Sequence, residues 1–217
     1  MTQNDWAPWQ ARCEQFLAAA AHSADAAHDI AHIRRVAANA AALARAERAD
    51  LAVVLPAAWL HDCVYVPKDS PDRARASALA ADAATRWLRA EGYPPALLPA
   101  IGHAIEAHSF SAGIAPRTPE ARVVQDADRL DAIGAVGIAR CLMLGGQLGR
   151  RLYDPSEPFP RQRPPDDRLN TVDHFFVKLL RLADTMQTQA GRDEALRRTS
   201  FMRQFLEQLA GEIAPGL

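Results

Sequence analysis

Histidine and aspartate residues at three separate places in the chain are of the types that bind a divalent cation. His61 and Asp62 stand side by side at the end of an apolar run, and His32 lies upstream of them. An acidic cluster lies downstream, at Asp126, Asp128 and Asp131. Imidazole and carboxylate ligands suit Mn, Fe, Ni, Co or Zn, and two of each leave positions open for water and substrate. The pattern therefore predicts a catalytic metal site.

The chemistry that such a site supports is hydrolysis at phosphorus. A metal-bound water has a lowered pKa, and the cation also neutralises a phosphoryl oxygen. Phosphate esters and anhydrides are therefore the expected substrates. A His-Asp dipeptide by itself is more often a hydrogen-bonded structural pair, and the full set of upstream and downstream partners is what favours the metal.

The elements that must position these residues are helices. Alanine is frequent, β-branched residues are sparse, and apolar positions recur at helical spacing, which predicts an all-α fold. We expect a first helix over 9–21 and a second over about 29–48, and a third that carries the apolar run 53–60 into His61. The second helix has a predicted apolar stripe at Ile30, Ile33, Val36 and Leu43.

Glycine and proline set the later boundaries. One helix should end at Gly92, and Pro94 and Pro95 should open another that ends near 108–110. One or two buried helices are expected over 123–144. A segment rich in proline, 153–165, predicts an irregular excursion, either a surface loop or a lid. Two more helices, about 171–187 and 192–213, should close the chain.

Length, charge and cysteine content bound the class of protein. The chain has 217 residues, enough for one domain with a sizeable core. A formal net charge of -1 gives no reason to expect nucleic acid or a membrane surface as partner. Three widely spaced cysteines form no disulfide framework, and the first residues do not resemble a signal peptide. We therefore predict a cytoplasmic protein.

The residues above resemble a known family, the HD-domain metal-dependent phosphohydrolases, whose signature is a His, a His-Asp pair and an Asp on separate helices. The resemblance extends to the small bacterial branch of YedJ-like and YpgQ-like proteins and covers about residues 25–210. The stretches that carry it are His28-Asp29-x-x-His32-x-x-Arg35, Ala58-Trp59-Leu60-His61-Asp62, Glu106-Ala107-His108-Ser109, Asp126 to Arg140, and His174-Phe175-x-x-Lys178.

The resemblance implies an all-α, single-domain HD helical bundle. It assigns one divalent cation (Mn, Mg, Ni, Co, Fe or Zn) to four ligands, His32, His61, Asp62 and Asp128. It also implies a nucleotide substrate, with (deoxy)nucleoside triphosphates cleaved to monophosphate and pyrophosphate by metal-activated water as the most specific version. The expected segments are an N-terminal helix (1–24), the HD metal-binding core (25–145), a proline-rich loop (146–170) and C-terminal helices that pack on the core (171–217).

Other polar residues are candidates for proton transfer and substrate contact. Asp29 or His108 can take the proton from water. The expected substrate contacts are His28, Arg35, Lys68, Asp131, His174 and Lys178. For each of them an ordinary structural or solvated role is the alternative. For Asp131 the alternatives are orienting a metal ligand or Arg129, or stabilising helix packing.

Several alternatives stay open from the sequence. His103 and His108 lie between the His-Asp pair and the last aspartate, where a second metal would give a dinuclear phosphodiesterase or oxygenase. A spacing of five splays the two side chains on a helix, which favours one metal. A nucleoside monophosphate phosphatase and a regulatory module that binds a nucleotide without turnover are further alternatives. The apolar residues Phe201, Met202, Phe205 and Leu209 serve either the core or a homodimer interface.

Overall fold

The computed structural model describes residues 3–20, 30–66, 70, 74–109 and 112–213. It confirms the all-α fold, since no strand is formed within those ranges and the single β-bridge joins Arg151 to Asn170. Nine α-helices are described: α1 (Gln3–Ala20), α2 (Ile30–Glu47), α3 (Leu51–Leu60), α4 (Ala76–Ala90), α5 (Leu98–His108), α6 (Pro119–Asp131), α7 (Gly134–Gln147), α8 (Asp173–Val177) and α9 (Gln189–Ile213). Two 3₁₀ helices, Pro95–Leu97 and Leu179–Thr185, precede α5 and follow α8.

The chain divides into two compact units, Met1–Asp128 and Arg129–Leu217, which we describe separately. The segment boundaries expected from the sequence stay predictions. Within the described residues, no helix has both the length and the apolar character that a membrane crossing requires.

The first unit is built around α3, whose residues from Ala52 to Leu60 are all buried. The Asp50 carboxylate caps the start of α3 by accepting a hydrogen bond from the Ala52 amide at 2.8 Å. Pro56 lies inside the helix and lacks the amide hydrogen that would bond the Ala52 carbonyl. The Tyr93 hydroxyl donates to that carbonyl instead, at 2.5 Å. The proline is therefore accommodated without an orphaned backbone acceptor.

The other helices of the first unit surround α3. Helices α1, α2 and α5 pack against it, and α4 packs mainly on α5. On α2 the predicted stripe is confirmed for three of its members, because Ile33, Val36 and Leu43 are buried. The prediction was wrong for Ile30, which begins the helix and is 40% exposed. The stop at Gly92 is confirmed, and its φ of +82° is a conformation that glycine adopts without strain.

In the second unit α7 packs against α9. Met202 and Leu206 of α9 are buried, whereas Phe201 is exposed. Gly137 allows the turn between α6 and α7, because a Cβ atom at this position would lie 2.2 Å from the Ala132 carbonyl oxygen. Residues 153–165 are irregular, as their prolines predicted.

A buried ion pair fixes the proline-rich segment within the second unit. Asp173 at the start of α8 is fully buried and accepts two hydrogen bonds from the Arg163 guanidinium, at 2.5 and 2.7 Å. The Asp166 amide and the Asn170 side chain also donate to this carboxylate, at 2.7 and 3.3 Å. This ion pair and its two further hydrogen bonds hold the segment to the start of α8.

The prediction of one helix over 171–187 was wrong. Helix α8 ends at Val177, and Lys178 leaves helical geometry with φ -130° and ψ -59°. The 3₁₀ helix that follows has three residues per turn, so Leu179 and Leu182 fall on one face, and both are buried. These leucines are therefore buried by a 3₁₀ helix, whereas the sequence pattern predicted an α-helix.

Candidate metal centre

The first unit brings together two overlapping groups of potential metal ligands. In one group His32 of α2, His61 at the end of α3 and Asp128 of α6 have ligand atoms within 4.8 Å of one another. The Asp128 Oδ1 atom lies 3.6 Å from His32 Nε2 and 3.7 Å from His61 Nε2. We call these residues, with Asp62 and His108, the His/Asp cluster.

The second group contains His61, Asp62 and His108. The two carboxylate oxygens of Asp62 lie between the imidazoles, 3.4 Å from His61 Nε2 and 3.4 Å from His108 Nε2. The histidine rings are buried, whereas the side chains of Asp62 and Asp128 are 29% and 30% exposed. A small ion can therefore reach the cluster from the side of the carboxylates.

Backbone carbonyls decide which nitrogen of His61 and His108 faces the cluster. His61 Nδ1 lies 2.8 Å from the Ala58 carbonyl oxygen, and His108 Nδ1 lies 2.6 Å from that of Ile105. A carbonyl oxygen only accepts, so each Nδ1 carries the proton and donates. The Nε2 atom of neutral His61 therefore presents a lone pair to the oxygens of Asp62 and Asp128.

This arrangement fits a bound cation. His61 Nε2 is buried and has no hydrogen-bond partner among the described residues. Burial lowers the pKa of His61 despite the neighbouring carboxylates, which disfavours a proton on this atom. A lone pair set against two carboxylate oxygens is repulsive unless a positive charge lies between them. Nitrogen and oxygen donors in this number suit a first-row divalent ion.

His108 differs from His61 in its protonation. Burial lowers its pKa, but the hydrogen bond and the charge of Asp62 outweigh this effect, so the pKa is raised above its usual value. The sequence predicted His108 as a proton acceptor and, in the dinuclear alternative, as an additional metal ligand. Its Nε2 lies 3.4 Å from Asp62 Oδ1, a position compatible with either role.

A buried glutamine, Gln125, supports the cluster and was not identified from the sequence. It is 3% exposed, and its Nε2 donates to the Ala107 carbonyl at 2.6 Å. This hydrogen bond joins α6 to α5 beside His108. Because Gln125 lies three residues before Asp128, the bond also helps to position the Asp128 carboxylate. A polar residue that follows Val123 and Val124 is the only sequence signal for it.

The three downstream aspartates have separate environments. Of the three, Asp128 lies in the cluster, while Asp126 is fully buried on the same helix. Asp131 belongs to the second unit, is 1% exposed, and pairs with Arg140 at 2.6 Å. This burial and pairing agree with the alternative of helix packing, and they leave little of its side chain for substrate.

The remaining predicted substrate contacts are distributed over both units. Arg35 lies on α2, one turn after His32, and is partly exposed. His174 and Lys178 belong to the second unit, where His174 Nδ1 lies 2.8 Å from Asp167 Oδ2 and Lys178 is exposed. His28, Asp29 and Lys68 lie outside the described residues. The roles of all of these residues stay predictions.

His103, which the dinuclear alternative required, does not join the His/Asp cluster. Its Nε2 accepts a hydrogen bond from the Arg117 amide at 3.0 Å. Burial and the charge of Arg117 lower its pKa. His108 follows it five positions later on α5, which places the two side chains about 140° apart around the helix.

The chain is similar to known proteins over most of its length. The family model of the HD domain matches residues 29–133. The uncharacterized protein YpgQ of Bacillus subtilis is 38% identical over 202 residues, which cover 88% of this chain and 86% of YpgQ.

Two solved structures extend the comparison. A crystal structure of Bacillus subtilis YpgQ in complex with ADP has a TM-score of 0.70 and 37% identity, and the match covers 94% of this chain and 98% of that one. An HD-superfamily hydrolase of Bacillus thuringiensis has a TM-score of 0.71 and 34% identity, with 94% and 97% covered.

Proposed function

We propose a substrate and a ligand set for this chain, which belongs to the HD-domain superfamily of metal-dependent phosphohydrolases. The proposed reaction is the cleavage of (deoxy)nucleoside triphosphates to monophosphate and pyrophosphate. The observation that carries the metal centre is the buried Nε2 of His61, which faces the oxygens of Asp62 and Asp128.

The proposed ligands of one divalent cation are His32, His61, Asp62 and Asp128. They are contributed by α2, the end of α3 and α6, and α3 is the most completely buried of these elements. A cation bound to them supplies a lowered pKa for water and neutralises charge on a phosphoryl oxygen. The buried histidines limit solvent on one side, which strengthens the electrostatic interactions within the site.

Side chains of the protein would carry out proton transfer and substrate binding. His108 holds its Nδ1 proton on the Ile105 carbonyl, so its Nε2 is the atom that can accept or return a proton beside Asp62. Asp29 is the second candidate for this task. Arg35 and Lys68, with His28, His174 and Lys178, are the proposed contacts to the anionic substrate.

The choice of a nucleotide is supported by a relative. YpgQ, 37% identical and matched over nearly its whole length, was crystallised with ADP. A diphosphate nucleotide presents the anhydride oxygens and the base that a triphosphate also carries. The local charge of the proposed contacts suits such an anion, while the whole chain is close to neutral, with a net charge of -1.

The test is a turnover panel on the full chain, with (deoxy)nucleoside mono- and triphosphates and each candidate metal. Phosphate and pyrophosphate are assayed separately for wild type, Asp62→Ala and Asp82→Ala. Asp82 is the matched control, since its exposed carboxylate on α4 pairs with Arg86 away from the cluster. We expect pyrophosphate from triphosphates in wild type and in the control, and none in Asp62→Ala.

Other results would contradict parts of the proposal. Release of phosphate from monophosphates, without pyrophosphate from triphosphates, would indicate a nucleotidase instead. Full metal content in Asp62→Ala, measured by elemental analysis, would contradict the ligand assignment. Two metals per chain in wild type would favour the dinuclear enzyme, for which the supporting geometry is Asp62, whose two oxygens face His61 and His108 separately.

A further inference from the structure

A second polar cleft lies on the other side of α5 from the His/Asp cluster. It has a volume of about 450 Å³ and opens between α4, α5 and the segment before α6. Its lining includes Arg89, Gly102, His103, Glu106 and Arg117. We call it the distal cleft. Its volume lies within the range of about 300–1,000 Å³ that is usual for small-molecule sites.

Two positive charges face the distal cleft without partners of their own. The guanidinium groups of Arg89 and Arg117 form no ion pair and no side-chain hydrogen bond with any residue that the structure describes. The neighbouring arginine on α4, Arg86, is by contrast paired with Asp82. Guanidinium groups bind phosphate and carboxylate with parallel hydrogen bonds, so two of them in one cleft favour an anionic group.

His103, which also lines the distal cleft, has an unsatisfied donor. Its Nε2 accepts from the Arg117 amide at 3.0 Å, so this nitrogen carries no proton. The proton of the neutral ring is then on Nδ1, which is buried and has no hydrogen-bond partner among the described residues. A buried donor without a partner is uncommon, so this wall of the cleft carries an unmet hydrogen bond.

Glu106 limits which anion can bind. Its carboxylate forms no ion pair among the described residues and would repel a simple inorganic anion. With Arg89 and Arg117 it leaves the cleft with one net positive charge. A ligand that carries hydroxyl or amino donors as well as a phosphate satisfies the carboxylate and the arginines together.

The walls of the cleft match a ring-bearing ligand. Pro95 and Pro99 offer apolar surface, and Gly102 lies beside the Thr85 methyl group without a side chain of its own. We propose that the distal cleft is a second ligand site that binds a nucleoside phosphate, with the phosphate on Arg89 and Arg117 and the nucleoside donors on Glu106. This site is separate from the metal centre and does not depend on the hydrolytic reaction.

The test is calorimetric titration with AMP of the full chain in the presence of a chelator. Four proteins are compared: wild type, the double variant Arg89→Gln/Arg117→Gln, Arg86→Gln and Asp62→Ala. We expect wild type to bind AMP, and the double variant to bind it about tenfold or more weakly, since charge-assisted hydrogen bonds are lost. Arg86→Gln and Asp62→Ala should bind like wild type.

Two further probes distinguish the parts of the ligand. Inorganic phosphate should bind wild type about tenfold more weakly than AMP, because like-charge repulsion from Glu106 acts on it without compensating donors. Glu106→Gln should bring the two affinities closer. No binding by wild type, equal binding by wild type and the double variant, or loss of binding in Asp62→Ala would each overturn the proposal.

Discussion

The ion pair of Asp173 and Arg163 offers a strong test of the second unit. Asp173→Asn keeps the size of the side chain, removes its charge, and turns one acceptor into a donor that faces the Arg163 guanidinium. Four hydrogen bonds converge on the fully buried carboxylate, from Arg163, the Asp166 amide and Asn170. The substitution therefore leaves a largely buried cation without its counter-charge.

The expected loss follows from this burial. Breaking a buried ion pair from one side costs about 3–5 kcal/mol, and we take the lower end because the Arg163 side chain is 18% exposed. For a chain of this length, about 3 kcal/mol corresponds to a fall of about 6–12 °C in Tm. Burial raises the pKa of Asp173, but the Arg163 hydrogen bonds outweigh it and the net pKa is lowered. The stabilisation is therefore present above the usual carboxyl range and is lost as the pH falls through it.

The assay is thermal unfolding at pH 7 and at pH 3, combined with hydrogen exchange of residues 154–168. Asp184→Asn is the control, because it makes the same chemical change at an exposed position of the same unit. We expect a large fall in Tm and faster exchange for Asp173→Asn only, and a smaller difference from wild type at pH 3. A fall below about 2 °C at pH 7 would refute the reasoning, since a pair worth less than about 1 kcal/mol behaves as a surface pair.

Two further predictions concern the same unit. Gly137→Ala should lower the free energy of unfolding by about 3 kcal/mol, because the new Cβ would clash with a backbone oxygen that cannot move away. Gly146→Ala has open space around it and should raise the free energy of unfolding by about 0.5–1 kcal/mol. Equal effects of the two substitutions in denaturant unfolding would contradict this. For Glu194, hydrogen bonds from Arg197, and then Arg198, lower the pKa to about 2, so its stabilisation exists above its unfolded pKa and disappears as the pH falls from about 4.5 towards 2. Glu194→Gln should therefore cost about 1–2 kcal/mol at pH 7, after allowance for solvent screening, and almost nothing at pH 2, which urea unfolding at both pH values would check.

Local signals in the sequence predicted much of the fold. Gly92 and Pro95 mark boundaries that depend on backbone conformation alone. Helix α4 ends just before Gly92, and the next helical segment begins at Pro95. The burial pattern of α2 was predicted from Val36 and its neighbours, but not for Ile30 at the helix start. The break at Lys178 was missed, because helical spacing of apolar residues does not separate a 3₁₀ turn from an α-helix over a few residues.

The sequence predicted which residues of the candidate site lie close together, but not the contacts that hold them in place. His32, His61 and Asp128 lie close together, as the resemblance implied. The bond from Gln125 to Ala107 and the pairing of Asp131 with Arg140 could not be predicted. Each joins residues nine or more positions apart across a helix break, and such contacts arise only from tertiary packing. The contact of His108 Nε2 with Asp62 also arises from tertiary packing, although the dinuclear alternative had already included His108 among the candidate ligands.

The carbonyls of Ala58 and Ile105, which orient His61 and His108, have a consequence for how this site can change over evolutionary time. Many metal-binding histidines depend on a carboxylate side chain to select the tautomer, and a single substitution can remove it. Here the selecting group is the main chain one helical turn earlier, which every residue type provides. The side chains at 58 and 105 are therefore free to vary for packing while the presented nitrogen stays the same. The orientation of these two donor nitrogens therefore depends on the helical backbone and not on the identity of any single side chain.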